Sequence, residues 1–317
     1  MTRPVRIPSW LTAAPPTVAV ELASNRVTVV AVSGPSGPPA VTGQASEALA
    51  AGVVAPALTG VNIPDPDAAA AAVERALASA GLGRPGRVAL VVPDSVARVS
   101  LITLEQVPAR AADLDRLLRL QLRRSIPFPL EAAQVTHFVV ARVGAATTFA
   151  VVVARREVIA EYERVTGRLG VQAGLVDLAS FNVMNAVMAT GAAVDGDWLL
   201  VHLASEATTL AIVRGHHLMF YRHRTAVDEE PLDALVHQTA MYHEDRLGGG
   251  GFARAWVSGA GQTADAVRAR LRSRLGIPVD TVDVRPGAEL RTAASATVNH
   301  LDALAGPVGV LLRDRAA

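Results

Sequence analysis

Two segments of the chain open in the same way, with two strands joined by a short polar turn and followed by helices. Residues 17–22 and 27–33 form the first pair, and residues 198–203 and 208–214 form the second, with a further strand at 217–222. Runs of β-branched residues bounded by small polar residues are typical of β-hairpins. A unit that recurs within one chain indicates two similarly built halves. The sequence therefore predicts a mixed α/β protein in two lobes.

The remaining segments predict further strands and helices. Strand pairs are expected at 88–92 with 96–104 and at 135–143 with 148–153. Asp65 and Asp228 precede helical patterns, and their carboxylates are suited to cap helices that run to about residue 80 and over 229–247. Other helices are predicted over 109–124, 157–169, around Phe181, over 262–275 and over 301–313, the last interrupted by Pro307, and further strands at 255–258 and 277–284.

The composition excludes several classes of protein. Half of the 317 residues are hydrophobic, which argues against a disordered chain, and a formal net charge of +1 gives no basic face for nucleic acid. The absence of Cys excludes disulfides and thiolate metal sites. No apolar run reaches the roughly 18–20 residues that span a bilayer, and residues 1–16, predicted to be a flexible tail, lack the apolar segment of a signal peptide. The sequence thus predicts a soluble cytoplasmic protein.

Three polar turns carry the candidate chemistry. The first follows Glu21, the second follows His202, and the third is the glycine-rich segment 258–261. Backbone amides in such turns can face the phosphates of a nucleotide, and a carboxylate at the end of the strand can hold Mg²⁺ or its waters. Glycine beside the carboxylate lets the backbone approach the ligand closely. The order of the three turns is that of an actin-type nucleotide site.

The turns and one further segment resemble the PilM family of type IV pilus assembly proteins, which are FtsA-like members of the actin-like ATPase superfamily. That family reads approximately D-I-G-S-S-x-V-K in the first turn, D-I-G-x-x-x-T in the second and S-G-G in the third. Residues 126–133, Ile-Pro-Phe-Pro-Leu-Glu-Ala-Ala, are similar to the family's I-P-F-x-L-E-E-A stretch and are the most distinctive match. The resemblance extends from about Val18 to Leu312.

The chain departs from the family pattern at the positions that matter most for nucleotide chemistry. The two aspartates are replaced by Glu21 and His202, and the two glycines by Ala23 and Ala204. Mg²⁺ prefers oxygen to nitrogen ligands, and each added methyl group obstructs the approach of a phosphate. We therefore expect a weak or vestigial ATP site, with no catalytic residue, no protein-held metal and no robust ATPase activity. The protein is expected to bind either no cofactor or Mg-ATP weakly. The residues of the site would be Glu21, Ala23, Ser24, Asn25, His202, Ala204, Ser205, Thr208, Gly259 and Gly261.

The resemblance implies an actin-like fold of two RNase H-type lobes with a subdomain inserted in the first. In that division, residues 17–86 and 171–192 form the first lobe, residues 87–170 form the inserted subdomain, which is similar to subdomain 1C of FtsA, and residues 193–317 form the second lobe.

The resemblance also implies a partner and a location. PilM-like proteins lie at the cytoplasmic face of the inner membrane and hold the N-terminal cytoplasmic peptide of PilN, a single-span membrane protein. The peptide lies in a groove between the first lobe and the inserted subdomain, and we expect this groove near Ile126, Pro127, Phe128 and Leu130. The implied role is a scaffold in the inner-membrane assembly complex, with pilus motor or platform proteins and further copies of the chain as additional candidate partners.

Two alternative functions stay open from the sequence. The first keeps the fold and places the chain in a type II secretion or MSHA-type system as the actin-like L-type component. Those proteins continue into a membrane span, whereas the present sequence ends at Ala317. If the chain is full length, this difference favours the pilus assembly function. The second alternative is an active actin-like ATPase or a sugar-kinase-like phosphotransferase. It requires acidic Mg²⁺ groups in both turns, and His202 argues against it.

Overall fold

The computed structural model describes residues 15–34, 37–191, 196–228, 230–291 and 297–313. The predicted flexible tail falls almost entirely outside these residues. Within them the strands form a six-stranded, a five-stranded and a three-stranded sheet. No helix in the described ranges is long and apolar enough to cross a membrane.

The regular elements alternate between strands and helices along the chain. The strands are β1 (Val18–Leu22), β2 (Arg26–Val32), β3 (Ala40–Ala48), β4 (Arg87–Val92), β5 (Ala97–Leu104), β6 (Ala133–Val143), β7 (Ala146–Arg155), β8 (Gln172–Leu178), β9 (Asp197–Leu203), β10 (Ala207–Arg214), β11 (His217–Thr225), β12 (Arg254–Ser258), β13 (Val279–Thr281) and β14 (Glu289–Leu290). The helices are α1 (Pro66–Ser79), α2 (Ala111–Leu122), α3 (Arg156–Gly167), α4 (Ala179–Ala189), α5 (Leu232–Leu247), α6 (Ala264–Leu275), α7 (Val298–Ala303) and α8 (Ala305–Leu312).

The first lobe is built on the six-stranded sheet, in the order β14-β3-β2-β1-β4-β8. Strands β3, β2 and β1 are antiparallel neighbours, whereas β14 pairs with β3, β4 with β1 and β8 with β4 in parallel. Every residue of β1 is buried, so both faces of the sheet are covered, by helices that include α1 and α8. Asp65 caps α1 as predicted, since its carboxylate accepts a hydrogen bond from the Ala68 amide.

The strand at 88–92 does not pair with the strand that follows it, so that prediction is wrong. The short 3₁₀ turn Asp94–Val96 leads the chain out of the first sheet, and β5 pairs with β7 instead. Because β4 pairs with β1 and β8, it lies in the first lobe rather than in the predicted insert 87–170. The insert is the three-stranded sheet β5-β7-β6 with α2, hereafter the inserted sheet, and Leu118 and Leu122 of α2 are buried against it.

The second lobe is built on the five-stranded sheet, in the order β11-β10-β9-β12-β13, with α5 and α6 packed on it. Helix α5 begins at Leu232 after Pro231, so the predicted cap by Asp228 is wrong. The carboxylate of Asp228 instead accepts a hydrogen bond from the Thr225 amide at 2.9 Å. Gly248 ends the helix at φ +62°.

The end of the chain returns to the first lobe. Pro307 lies in the first turn of α8, where a missing amide proton costs nothing, and the helix α7 ends before it. Helix α8 packs closely on α4, so that a methyl group at Gly309 would lie 1.8 Å from the Asn182 carbonyl oxygen. Strand β14 pairs with β3. The predicted second lobe at 193–317 therefore contributes two elements to the first lobe.

Candidate functional site

The β1–β2 turn and the β9–β10 turn have the same local geometry. The Ala23 amide donates to the Arg26 carbonyl at 3.0 Å, and the Ala204 amide donates to the Ala207 carbonyl at 2.9 Å. In both turns the donor stands two residues after the functional position at the end of the strand, Glu21 or His202. The repeat inferred from the sequence is thus present at the level of individual hydrogen bonds.

The three predicted turns meet at one small cleft between the lobes, with a volume of about 50 Å³. Eight of the ten predicted site residues line it, and Thr208 and Gly261 do not. The cleft is lined by Glu21, Leu22, Ala23, Ser24, Asn25, Arg26, Pro93, Asp94, Ala179, His202, Leu203, Ala204, Ser205, Glu206 and Gly259. The structure therefore brings these eight residues together, and their role in nucleotide binding stays a prediction.

A direct hydrogen bond joins the first turn to the second. The hydroxyl group of Ser24 donates to Oε2 of Glu206 at 2.7 Å. The two residues are 182 positions apart and belong to different lobes. A hydrogen bond to an ionised acceptor is stronger than one between neutral groups. The turn that would face a phosphate is thus bonded to a carboxylate of the chain itself.

Glu21 is paired with a cation of the chain. Its side chain is buried, and Oε2 lies 3.4 Å from a guanidinium nitrogen of Arg26. Helix α8 approaches the same carboxylate, since a methyl group at Gly306 would lie 3.0 Å from Oε1. A buried carboxylate needs a compensating partner. Arg26 supplies that positive charge at the position where an actin-type site would use Mg²⁺.

The glycine-rich third turn packs against the second. Gly259 has φ +79°, and a methyl group there would lie 1.9 Å from the Leu203 carbonyl oxygen, so only glycine fits. Its amide donates to Oδ2 of Asp302 at 2.7 Å. Burial raises the pKa of the Asp302 carboxyl, and hydrogen bonds from Ser258 and Gly259 offset part of that rise. The amide of the third turn is therefore already occupied by a carboxylate.

His202 occupies the second functional position and is almost fully buried. His202 is only 9% exposed, and its Nδ1 has no hydrogen-bond partner among the described residues. An imidazole nitrogen is a poor substitute for the carboxylate oxygen that Mg²⁺ prefers.

Sequence reasoning missed Asp94, which forms the polar centre between the lobes. Its Oδ1 accepts hydrogen bonds from the amide and the hydroxyl of Ser180, at 3.1 and 2.9 Å. Its Oδ2 accepts from the Thr209 hydroxyl at 2.7 Å. Ser180 lies in the first turn of α4 in the first lobe, and Thr209 lies on β10 of the second, so one buried carboxylate joins both.

The hydrogen bonds around Asp94 continue into strand β11. Because Thr209 donates its proton to Asp94, His223 Nδ1 must donate to Thr209, over 2.9 Å, and Nε2 accepts from Ser95 at 3.3 Å. Likewise the Tyr221 hydroxyl donates to Ser180 at 3.0 Å. Burial lowers the pKa of His223 and raises that of Tyr221 well above its ordinary value. Both side chains are therefore neutral in the folded protein at neutral pH.

The residues of the cleft do not fit a Mg-nucleotide in this arrangement. Pockets that bury a ligand usually enclose about 300–1,000 Å³, whereas this cleft encloses about 50 Å³. The hydrogen bond between Ser24 and Glu206 joins the two turns that would face a phosphate, and Arg26 pairs with Glu21. Methyl groups at Ala23 and Ala204 replace the glycines of the family pattern. In the described part of the chain, no group of three or more His, Asp or Glu side chains is arranged to hold a metal ion.

A much larger groove, of about 590 Å³, lies between the first lobe and the inserted sheet. Its walls come mainly from β6, β8 and α4, with a contribution from the β10–β11 hairpin of the second lobe. The lining is predominantly apolar: Val92, Ala97, Gln134, Thr136, Phe138, Val139, Val140, Val152, Ala154, Ile159, Leu175, Val176, Asp177, Leu178, Phe181, Met184, Asn185, Met188, Val213, His216, Leu218 and Arg313. Both β6 and β8 stand at the edge of their sheets.

Aromatic side chains and one ion pair shape the groove. Phe138 on β6 is 47% exposed and meets Phe181 edge to face, with ring centroids 5.7 Å apart. Phe181 in turn contacts Tyr221 of the second lobe at 5.5 Å. Asp177 pairs with Arg313 at 3.3 Å, and burial raises the pKa of this carboxyl despite that pairing. The groove thus combines an exposed aromatic ring with a neutralised charge.

The residues predicted to border the partner groove lie elsewhere on the inserted sheet. Ile126, Phe128 and Leu130 are half-buried and pack against the apolar cluster formed with α2. Pro127 is exposed, and none of the four lines the groove. Their assignment to partner binding stays a prediction. The groove residues gave no sequence signal because they come from at least six separate segments of the chain, spread from Val92 to Arg313.

Comparison with known proteins gives one family and several structures of the same fold. The family model described as type IV pilus assembly protein PilM matches residues 19–245. No curated protein sequence matches the chain. The chain is similar to a solved structure described as a PilM-PilN type IV pilus biogenesis complex, with 16% identity, a TM-score of 0.80, and coverage of 94% of this chain and 98% of that one.

Two further solved structures are similar to the chain at a lower level. One is the cytoplasmic domain of EpsL, an inner membrane component of the type II secretion system of Vibrio cholerae, with 12% identity, a TM-score of 0.46 and 94% of each chain covered. The other is the ethanolamine utilization protein EutJ from Carboxydothermus hydrogenoformans, with 12% identity, a TM-score of 0.46, and 95% and 90% covered. The family match over most of its length, together with the fold, shows that the chain belongs to the PilM family of type IV pilus assembly proteins.

Proposed function

We propose that this protein is a scaffold subunit of the type IV pilus assembly complex that binds an extended segment of a PilN-like membrane protein in the groove between its first lobe and its inserted sheet. The observation that supports this most directly is the 590 Å³ apolar groove, bordered by two edge strands. The wider partner set named from the sequence, namely motor proteins, platform proteins and further copies of the chain, stays part of the proposal.

The walls of the groove suit an extended peptide. An edge strand offers unpaired backbone groups along one side, and a peptide that adds to it gains backbone hydrogen bonds, while pockets take alternate side chains. Here β6 offers Gln134, Thr136 and Phe138 toward the groove, at alternate positions on one face. Apolar side chains of the peptide would pack on Phe138 and Phe181.

The family relationship supports the identity of the partner. The similar solved structure is described as a complex of PilM with PilN, and a corresponding peptide would place this chain at the inner face of the inner membrane. For the type II secretion alternative left open by the sequence, the similar structure is the cytoplasmic domain of EpsL, whose TM-score of 0.46 gives the alternative no support. The family match therefore favours the pilus machine.

The second part of the proposal is that the protein works without nucleotide turnover. The closed cleft, the pairing of Glu21 with Arg26 and the imidazole of His202 in place of a carboxylate each oppose the binding of a Mg-nucleotide. Each oriented group that a catalytic site loses costs orders of magnitude in rate. On this proposal the protein is a pseudo-ATPase. The alternative of an active ATPase or phosphotransferase is disfavoured.

A binding experiment with a matched pair of variants tests the partner site. Calorimetric titration would use the synthetic N-terminal cytoplasmic peptide of the PilN-like protein from the same genome. Phe138→Asp places a charge in the groove, and Val143→Asp places the same charge on the same strand at a residue that is 73% exposed and does not line the groove. We expect Phe138→Asp to raise Kd at least about tenfold, or roughly 1.4 kcal/mol, and Val143→Asp to leave it unchanged. Equal affinities for both variants would contradict the proposed site.

A further inference from the structure

Charged side chains of the chain itself line the closed cleft at both turns, Arg26 at the first and Glu206 at the second. An actin-type site closes its lobes around a metal–phosphate group that contacts both turns. In this chain the contact from the first turn is made to Glu206, whose carboxylate accepts the Ser24 hydroxyl at 2.7 Å. The buried carboxylate of Glu21 is compensated by the guanidinium of Arg26 at 3.4 Å. One internal anion and one internal cation thus stand at the two turns.

The geometry around Glu206 makes it a contact between lobes rather than a surface interaction. Glu206 follows Ser205 at the tip of the β9–β10 turn, and its side chain is half-buried at the mouth of the cleft. Its own carbonyl accepts the Ala226 amide at 2.7 Å, which fixes the backbone that carries the carboxylate. The Ser24 hydroxyl comes from the opposite turn.

We infer that the cleft is a self-occupied site, in which Glu206 replaces a phosphate at Ser24 and Arg26 replaces a metal ion at Glu21, so that the two lobes are held closed by the chain itself without nucleotide. The hydrogen bond between Ser24 and Glu206, hereafter the latch, is the part of this arrangement that joins the lobes. The latch gives the chain permanently the conformation that a nucleotide-dependent relative would reach only with its ligand.

Closure of the lobes also affects the groove, because the second lobe forms part of its wall. Val213 and Leu218 of the second lobe line the groove opposite Phe181 of the first. In addition, His217 Nδ1 donates to the Val140 carbonyl of β6 at 2.8 Å. A change in the angle between the lobes therefore changes the groove. The latch would keep the groove in its binding shape, and this consequence alone rests on the proposed partner function.

Hydrogen exchange measured by mass spectrometry tests the latch without any partner. Ser24→Ala and Glu206→Ala each remove it, whereas Glu206→Gln keeps an acceptor for the Ser24 hydroxyl. Thr103→Ala serves as the matched control, since it removes an exposed hydroxyl–hydroxyl bond of 2.9 Å to Thr148 in the inserted sheet.

The two alanine variants of the latch are expected to accelerate exchange at least fivefold in both turns, over residues 20–27 and 202–208, although each changes only one turn. Glu206→Gln should give an intermediate rate, and Thr103→Ala the rate of the unchanged protein in these segments. Acceleration confined to the mutated turn, or none in either, would overturn the latch.

Peptide affinity gives the second arm of the test. We expect Ser24→Ala to raise the Kd of the PilN-like peptide several-fold, although Ser24 does not line the groove. If exchange accelerates in both turns and affinity stays the same, the latch stands and its coupling to the groove is wrong. If the unchanged protein does not bind the peptide, the proposed function fails, while the exchange experiment still decides on the latch.

Discussion

Oδ2 of Asp94 lies 2.7 Å from the Thr209 hydroxyl and accepts its proton, which ties the end of a first-lobe strand to the centre of the second-lobe sheet. Both residues are buried, at 5% and 1% exposure. Water is therefore excluded from a hydrogen bond that spans the two lobes, and the loss of the Thr209 hydroxyl leaves Oδ2 of Asp94 without this donor. This contact between the lobes therefore contributes to the stability of the fold.

The first prediction concerns this contact. Thr209→Val keeps the shape of the side chain but leaves Asp94 Oδ2 without its donor, and an unsatisfied buried acceptor costs about 1–3 kcal/mol, more if it is charged. We expect the free energy of unfolding in urea to fall by at least about 1 kcal/mol. Thr103→Val, in the exposed pair with Thr148, should change it by less than about 0.5 kcal/mol. Equal effects of the two substitutions would contradict the role of Asp94.

The second prediction concerns pH. Burial lowers the pKa of His223 below its ordinary value of 6.5. The unfolded chain therefore takes up a proton at a higher pH than the folded chain, so stability is fully present above about pH 6.5 and is lost as pH falls below that value. The titratable groups that act electrostatically on His223 are Asp94, Glu206, His202 and Asp228.

Urea unfolding at pH 7.5 and at pH 5.5 measures this effect. We expect the difference in unfolding free energy between the two pH values to be smaller in His223→Gln than in the unchanged protein, because the substitution removes the titrating group. Since other groups also titrate over this range, the comparison between the two proteins carries the test. An identical pH dependence in both would show that His223 does not contribute.

The third prediction compares two glycines of the same turn. Gly259 and Gly261 both have positive φ, but a methyl group at Gly259 meets the Leu203 carbonyl at 1.9 Å, whereas none of the described atoms lies within 4 Å of one at Gly261. A left-handed conformation costs a non-glycine residue about 1–2 kcal/mol. We expect Gly261→Ala to lower the free energy of unfolding by about that amount. Gly259→Ala should lower it clearly more, because the third turn must also move away from Leu203. Thermal denaturation of both variants measures the difference, and equal losses would contradict the close packing of the two turns.

The fourth prediction concerns nucleotide. A ligand present at 100 times its dissociation constant stabilises a protein by about 2.7 kcal/mol. Because the cleft encloses only about 50 Å³ and is bridged by Ser24 and Glu206, we expect no change in the melting temperature of the unchanged protein in millimolar Mg-ATP. A saturable increase, matched by heat on titration, would contradict the pseudo-ATPase proposal and show that the cleft opens for nucleotide.

The sequence predicted those parts of the fold that depend on neighbouring residues. The hairpins at Ala23 and Ala204 follow from local turn chemistry, and the structure confirms that the predicted turns meet at one cleft. The parallel pairing of β4 with β1 depends on strands about 70 residues apart, which local patterns do not encode. For the same reason the local sequence gives no indication of the role of Asp94, which depends on its distant partners Ser180 and Thr209.

The groove could not be predicted from the sequence for a similar reason. Its central contact joins Phe138 on an edge strand to Phe181 on a helix of another subdomain, and Leu218 of the second lobe lies nearby. Each of these residues fits an ordinary apolar pattern of its own element. The distinctive segment beginning at Ile126 marked the family correctly, whereas in the structure it packs beside α2 on the inserted sheet.

The most direct test of the account is a crystal structure of this protein with the N-terminal peptide of its PilN-like partner. The account predicts an extended peptide in the groove, in contact with Phe138 and Phe181 and paired through its backbone with the edge of β6 or β8, while the bridge between Ser24 and Glu206 stays intact. A peptide bound against α2 near Ile126, or in the cleft between the lobes, would contradict it.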